Sequence, residues 1–273
     1  MGFYRSLARP LLFTLPPETA HHTAERLLRL PAGLIRTASG ASPSKVAGPR
    51  LFTQLAGIEL RNPIGLAAGF DKRAKDLPGL AALGFGYLVV GTVTRQARAG
   101  NPRPRMVRRP EHRGLVNSMG LPNDGPEAVA ARLERVASAL GEVPVFVSLG
   151  DEALDDVVAS HEILARHAAA IELNVSCRNV QRGRDRDNEE HLAEMLAKIV
   201  GLKPVFVKLP PFETPEEVEA VTTLAKIAAD GGAAGLTCSN TRPVAEPGLA
   251  TGAGGLSGAE LFTGTLRIIA SIR

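Results

Sequence analysis

Ile171-Glu172-Leu173-Asn174-Val175-Ser176-Cys177-Arg178-Asn179 opens as an apolar strand and closes on small polar groups. In a barrel of parallel strands, catalytic groups lie where a strand ends and its loop begins. Cys177, one of only two cysteines in the chain, stands at such an end. Asn174 and Asn179 flank it, each offering an amide donor and an acceptor. A weak acid or base ringed by amides suits a flat, polar, carbonyl-rich substrate. The stretch also reads as a strand ending on a buried structural cysteine, since free thiols are commonly buried. These nine residues alone leave both readings open.

Outward from this stretch, apolar strands alternate with amphipathic helices. Strands are expected at 62–68, 87–90, 143–149, 171–175, 205–208 and 235–239. Between them, helical spacing runs through Leu77, Leu80 and Leu83, then through Val129, Leu133, Val136 and Leu140. It continues over 153–167 and through Leu192, Met195, Leu196 and Ile199. Thr214-Pro215-Glu216-Glu217 is a capping box with proline at the first helical position. A glycine-rich loop over 252–258 leads into a last helix. Residues 95–123, rich in Arg, Pro and Gly, are too long for a simple connector and read as a functional excursion.

Buried strands alternating with helices mean a parallel α/β sheet. Polar residues close nearly every strand: Lys72, Thr92, Ser148, Asn174, Lys208 and Ser239-Asn240-Thr241. Polar groups gathered on one rim favour a TIM-type (β/α)8 barrel over an open sheet. About six strands are legible where a barrel needs eight, so the expected fold is a barrel incomplete at its C-terminal end.

The chain has 273 residues, 44% of them apolar, enough for one large core. Aromatics are 4% and Trp is absent, so Leu, Val, Ile and Ala must fill it. A net charge of +4 does not by itself imply nucleic acid. Nor do aromatic and basic residues interleave as in single-strand binders. Cys177 and Cys238 are far apart and form no CxxC pair, which fits a reducing compartment. The six histidines show no metal-ligand spacing, so no metal is expected. No apolar run reaches transmembrane length.

Residues 1–45 read as a separate helical extension, with the barrel over 46–273. Phe3, Leu7 and Leu11 share one helical face, and a second helix runs through Ala20, Ala24, Leu27 and Leu28 to Pro31. Arg5, Arg9, Arg26, Arg29 and Arg36 outnumber Glu18 and Glu25. Two such helices can lie on an anionic bilayer or pack on the main domain as a hairpin.

The combined pattern resembles the dihydroorotate dehydrogenases, flavin (FMN) enzymes of pyrimidine (UMP) synthesis. The residues carrying the resemblance are Gly65-Leu66-Ala67-Ala68-Gly69-Phe70-Asp71-Lys72, Gly91-Thr92-Val93-Thr94 and Asn117-Ser118-Met119-Gly120-Leu121-Pro122-Asn123. With them go Asn174-Val175-Ser176-Cys177-Arg178-Asn179, Lys208, Ser239-Asn240-Thr241 and Gly254-Gly255-Leu256-Ser257-Gly258. The opening residues through Pro16-Pro17-Glu18-Thr19-Ala20-His21 also resemble the extension of the membrane-associated, quinone-using class.

The resemblance implies oxidation of dihydroorotate to orotate, with Cys177 as the base. It implies substrate binding by Lys72, Asn117, Ser118, Met119, Gly120, Leu121, Asn174, Asn179, Asn240 and Thr241. It implies FMN binding by Ala68, Gly69, Phe70, Asp71, Lys72, Thr92, Ser148, Asn174, Lys208, Ser239 and Gly258. The acceptor expected is a quinone and the location the cytoplasmic face of the cell membrane, held peripherally.

Four departures stand out. Cysteine as base, and the loop 117–123, look like the soluble class rather than the membrane class. Ser148 stands where the family usually has asparagine, and Arg178 replaces a proline. The family's late glycine motif, which holds the FMN phosphate, has no counterpart before Arg273. A soluble fumarate- or NAD-type enzyme and a non-catalytic remnant are therefore the alternatives. A dihydrouridine synthase would need a basic tRNA-binding surface that the sequence does not display.

Overall fold

A computed structural model describes residues 4–41, 47–175, 187–212 and 214–272. After a π-helical turn at Tyr4–Ala8 come helices α1 (Arg9–Phe13), α2 (Pro17–Leu28) and α3 (Ala32–Ser39). A small hairpin, β1 (Thr53–Leu55) and β2 (Ile58–Leu60), precedes β3 (Gly65–Leu66), α4 (Leu77–Ala82) and β4 (Tyr87–Val93). Then follow β5 (Met106–Arg109), β6 (Gly114–Asn117), α5 (Pro126–Leu140), β7 (Val145–Leu149), α6 (Leu154–Leu164) and β8 (Ala170–Asn174). The rest is α7 (Asp187–Ile199), β9 (Val205–Lys208), α8 (Pro215–Asp230), β10 (Gly235–Thr237), β11 (Arg242–Ala245), β12 (Ala253–Gly258) and α9 (Phe262–Ser271).

Six strands form one curled parallel sheet in the order β10-β9-β8-β7-β4-β3. These are the six strands expected from the apolar runs, each pairing with its neighbour in sequence among the βα units. Consecutive parallel strands place all their C-terminal ends on one rim, as in part of a (β/α)8 barrel. The outer face of the sheet packs Val90, Val147, Ile171, Leu173, Val205 and Val207 against helix residues such as Leu80, Leu133, Leu164, Leu196 and Val221. The capping box starts α8 as expected: Thr214 Oγ1 accepts from the Glu217 backbone N–H, and the Glu217 carboxylate reaches back to Thr214 N.

The inner face carries an aromatic shelf. Tyr87 stacks on Phe146 at 5.1 Å, and Phe146 on Phe206 at 5.5 Å. The two phenylalanines sit on β7 and β9, and Ala170 on the strand between them is small enough to leave room. At the ends of the row stand glycines. A side chain at Gly65 would fall within the Tyr87 ring, and one at Gly235 would come 2.8 Å from Phe206. Across the sheet the row runs Gly65, Tyr87, Phe146, Ala170, Phe206, Gly235, the rings set off by the smallest residues, which gives the rim above a rigid floor.

Within the 95–123 excursion β5 and β6 form a hairpin that joins β12 and β11 in a four-stranded antiparallel sheet, order β11-β12-β6-β5. Two expectations change. The expected glycine-rich loop at 252–258 contains strand β12, because side chains there would collide with the Asn117 carbonyl, Leu249 and Thr241. The extension holds three α-helices rather than two, since Pro31 ends one helix and starts another that stops at left-handed Gly40.

The extension is fastened to the barrel by charge. Glu18 Oε1 accepts from Arg105 Nε at 3.0 Å and Nη2 at 2.8 Å, and lies 3.1 Å from Arg103 Nε. Arg108 donates to the Leu15 and Leu12 carbonyls, and both it and Arg9 lie over the Phe13 ring, at 4.7 and 4.6 Å from its centroid. Burial alone would raise the Glu18 carboxyl. The hydrogen bonds and charge of Arg105, then Arg103, outweigh that and hold it below the ordinary carboxylate range. Its contribution is therefore present above the unfolded value and is lost as pH falls through the lowered folded value. Glu18→Gln should loosen the extension by about 2 kcal/mol, less than the roughly 3–5 kcal/mol of a fully buried pair. Limited trypsin cleavage at exposed Arg26 and Arg36 would measure it; unchanged cleavage rates would refute the fastening role.

Candidate functional site

The rim brings most of the expected residues together. Gly69 N donates to the Gly91 carbonyl at 2.9 Å, which ties the ends of β3 and β4. Thr92, Ser148 and Asn174 are all buried and form one network. Asn174 Nδ2 donates to Thr92 Oγ1 at 2.9 Å, and Thr92 Oγ1 lies 3.1 Å from Ser148 Oγ. The Thr92 hydroxyl thus joins Asn174 and Ser148, and either hydroxyl can donate in the Thr92–Ser148 bond. On the next strand Lys208 is the register partner of Asn174.

Lys208 is only 8% exposed and has no ion pair or hydrogen bond among the described residues. A lysine so buried at a strand end, with no ion pair among the described residues, suits a rim that receives negative charge. Gly69, at positive φ, has open space where a side chain would project, so a flat group can approach its backbone.

Lys72 is half-buried and its Nζ donates to the Gly69 carbonyl. Burial pulls its pKa down to about 8, only partly offset by Glu25, Asp71 and Glu18. Ser118 and Met119 lie in the loop after β6, where Asn101 Nδ2 donates to the Ser118 carbonyl and hydroxyl. Gly120 packs on Asn101, and Leu121 adopts a positive φ of 51°. Asn117 ends β6 opposite Gly255, and Thr241 packs against that same glycine. Asn240 Oδ1 accepts from Thr241 N at 2.8 Å, and Ser239 Oγ donates to the Asn240 carbonyl. Cys177 and Asn179 lie outside the described residues.

Some expected residues have local work of their own. Both Asp71 carboxylate oxygens accept backbone N–H groups, Oδ1 from Lys75 and Oδ2 from Asp76, so Asp71 shapes the β3–α4 loop. Gly258 ends β12 against Arg113 and Gly114, where any side chain would strike the Arg113 carbonyl. Ala68 packs beside the aromatic shelf.

Phe70 points to a feature the sequence reading missed. The His21 ring stands edge-on to it, centroids 4.9 Å apart. Between α2 and this end of the rim opens a cleft of about 320 Å3, lined among others by His21, His22, Glu25, Phe70, Lys72 and Met119. The His21–Glu25 spacing of four residues was visible in the sequence. Its meaning depends on where α2 docks.

The sequence profile described as dihydroorotate dehydrogenase matches residues 50–273. The chain is 36% identical to "Dihydroorotate dehydrogenase (quinone)" of Chloroflexus aurantiacus, over 98% of this chain and 80% of that protein. It is 37% identical to the protein of the same name from Mycobacterium marinum, over 96% and 76%. Among solved structures, the dihydroorotate dehydrogenase of Eimeria tenella in complex with ferulenol superposes with a TM-score of 0.78 at 24% identity, covering 96% of this chain and 79% of that one.

Proposed function

This chain belongs to the dihydroorotate dehydrogenase family, and from that premise we propose that its rim oxidises dihydroorotate while the cleft under α2 admits a quinone as electron acceptor. The observation that carries this reading is the opening between α2 and Phe70 and Lys72, which joins the extension to the rim. The quinone-named relatives support the same acceptor.

The rim suits FMN. The unpaired Lys208 offers a charge for an anionic ring, the space above Gly69 admits a flat one, and Thr92, Ser148 and Asn174 supply polar edges. Bound there, FMN would supply a two-electron carrier between C6 of dihydroorotate and the acceptor. Cys177 removes the C5 proton. Lys72 meets the substrate carboxylate, and Asn117, Asn174, Asn179 and Asn240 bond the carbonyl and N–H groups of the ring.

The extension would rest on an anionic membrane at its cytoplasmic face. Leu7, Leu11, Leu27, Leu30 and Leu34 are exposed there, beside Arg26 and Arg36. Among the described residues no helix is long and apolar enough to cross a bilayer. Cysteine in place of serine as base keeps one other reading in play, a water-soluble acceptor.

Anaerobic dihydroorotate should bleach the flavin band of the purified chain, and a short-chain ubiquinone should restore it. Bleaching restored only by soluble acceptors would exclude the quinone reading. The same assay has a pH signature. Below pH 8 Lys72 carries its proton and pairs with the substrate carboxylate; above it the charge is lost. The KM for dihydroorotate should then rise about tenfold per pH unit, and Lys72→Met should flatten that rise.

A further inference from the structure

Three titratable side chains on α2 have no part in the chemistry above. His22 Nδ1 lies 2.8 Å from Glu25 Oε2, and His21 Nε2 lies 3.3 Å from Glu25 Oε1. One carboxylate thus bridges two imidazoles, one oxygen to each. Exposure falls along the same line: the His22 side chain is 43% exposed, Glu25 19% and His21 12%. The inner ring, His21, stands against Phe70 at the rim end of the cleft.

We propose that His22, Glu25 and His21 form a proton relay from solvent into the cleft, serving the reduction of the acceptor there. The proposal rests on the quinone reading of that cleft. A quinone takes two electrons and two protons to become a quinol. Dihydroorotate supplies both electrons, leaving as the C6 hydride, while its C5 proton goes to Cys177. The C6 hydrogen accounts for at most one quinol proton, so another must come from water. In the relay the N–H bond on the ring nitrogen of His21 away from Glu25 breaks as an O–H bond forms on the quinone oxygen. In the same step Nε2 of His21 takes a proton that Glu25 passes on from His22 Nδ1, His22 regains one from water, and the His21 ring turns over to bring its N–H back to the quinone side before the next turnover.

The surroundings suit this direction. Burial would raise Glu25, but hydrogen bonds to His21 and His22, and their charge, bring it to about 2. It is therefore anionic at rest and within hydrogen-bond reach of both rings. Glu18 lies 3.6 Å from His22 Nε2, and Asp71, Arg26, Arg29, Lys72, Arg103 and Arg105 also face the cleft. A purely structural role is the competing account, because an i,i+3 and an i,i+4 pair also stabilise a helix.

The test uses the full chain loaded with FMN and reduced by anaerobic dihydroorotate. Reoxidation is followed in stopped flow with decylubiquinone, and with ferricyanide, which takes electrons without protons. Glu25→Gln and His22→Ala should each slow the quinone reaction at least tenfold, with the loss confined to quinone. Imidazole in the buffer should rescue His22→Ala, because that ring is open to solvent. 15N spectra should show one ring nitrogen of His21 and one of His22 hydrogen-bonded to the Glu25 carboxylate, both signatures lost in Glu25→Gln. Wild-type quinone rates in both variants, or no rescue by imidazole, would overturn the relay alone. A wild-type chain reoxidised by ferricyanide but not by quinone would overturn the acceptor reading and the relay with it.

Discussion

Cys177→Ala should leave a flavin-loaded chain that dihydroorotate no longer reduces. The expected loss in the rate of flavin reduction is about 10²–10⁴-fold, the range for removing a general base. The argument starts from the substrate, whose C5 proton must leave as the C6 hydride departs. Among the expected rim residues the strong charges belong to Lys72 and Lys208, which are cations, and to Asp71, whose oxygens are both engaged by backbone N–H groups. Thr92, Ser148 and Asn174 are neutral and already bonded to one another. Lys72, brought down to about 8 by burial, is engaged with the Gly69 carbonyl and faces the substrate carboxylate; the other groups offer no free base, whereas a thiol with a pKa of ~8.5 is one. Cys177→Ser separates base strength from position. It should retain flavin and recover part of the rate only at higher pH, because a hydroxyl is a far weaker acid than a thiol. Full reduction of Cys177→Ala by dihydroorotate would remove Cys177 from the mechanism.

The parallel sheet was legible because its strands are buried on both faces. Residues such as Leu88, Val89 and Val90, or Phe146 and Val147, leave an unbroken apolar run bounded by turns. The rim was legible too, since Thr92, Ser148, Asn174 and Lys208 interrupt those runs at the same end each time. The antiparallel sheet was not legible. It pairs Asn117 with Gly255 and Val116 with Leu256, well over a hundred positions away, and such pairing has no local period. The glycines of β12 argued for a loop on propensity, yet their missing side chains are what lets Asn117, Leu249 and Thr241 press against the strand. The cleft was hidden for a similar reason. His21, His22 and Glu25 read as part of an amphipathic helix until the Glu18–Arg105 pair, which spans 87 positions, sets α2 over Phe70.

Lys208→Met should make the flavin-free chain more stable and the loaded enzyme much slower. The two effects have one origin. Lys208 is 8% exposed and makes no ion pair among the described residues. Desolvation without a partner opposes folding, and a methionine of similar length removes that cost, by about 1–3 kcal/mol. For a chain of this size the melting temperature should rise by ~2–4 °C per kcal/mol. The same charge is useful once negative charge develops at the rim, where a fixed cation needs no reorganisation. Losing one such group costs about 10²–10³-fold in rate, read as slower bleaching of the flavin band by dihydroorotate. A lysine kept only for packing, its stem lying along the apolar wall, predicts the reverse: methionine would keep the contacts, leaving both stability and bleaching rate unchanged. Thermal melts of the flavin-free chain and stopped-flow bleaching of the loaded one therefore decide between a residue built for an anion and one that merely fills the end of β9.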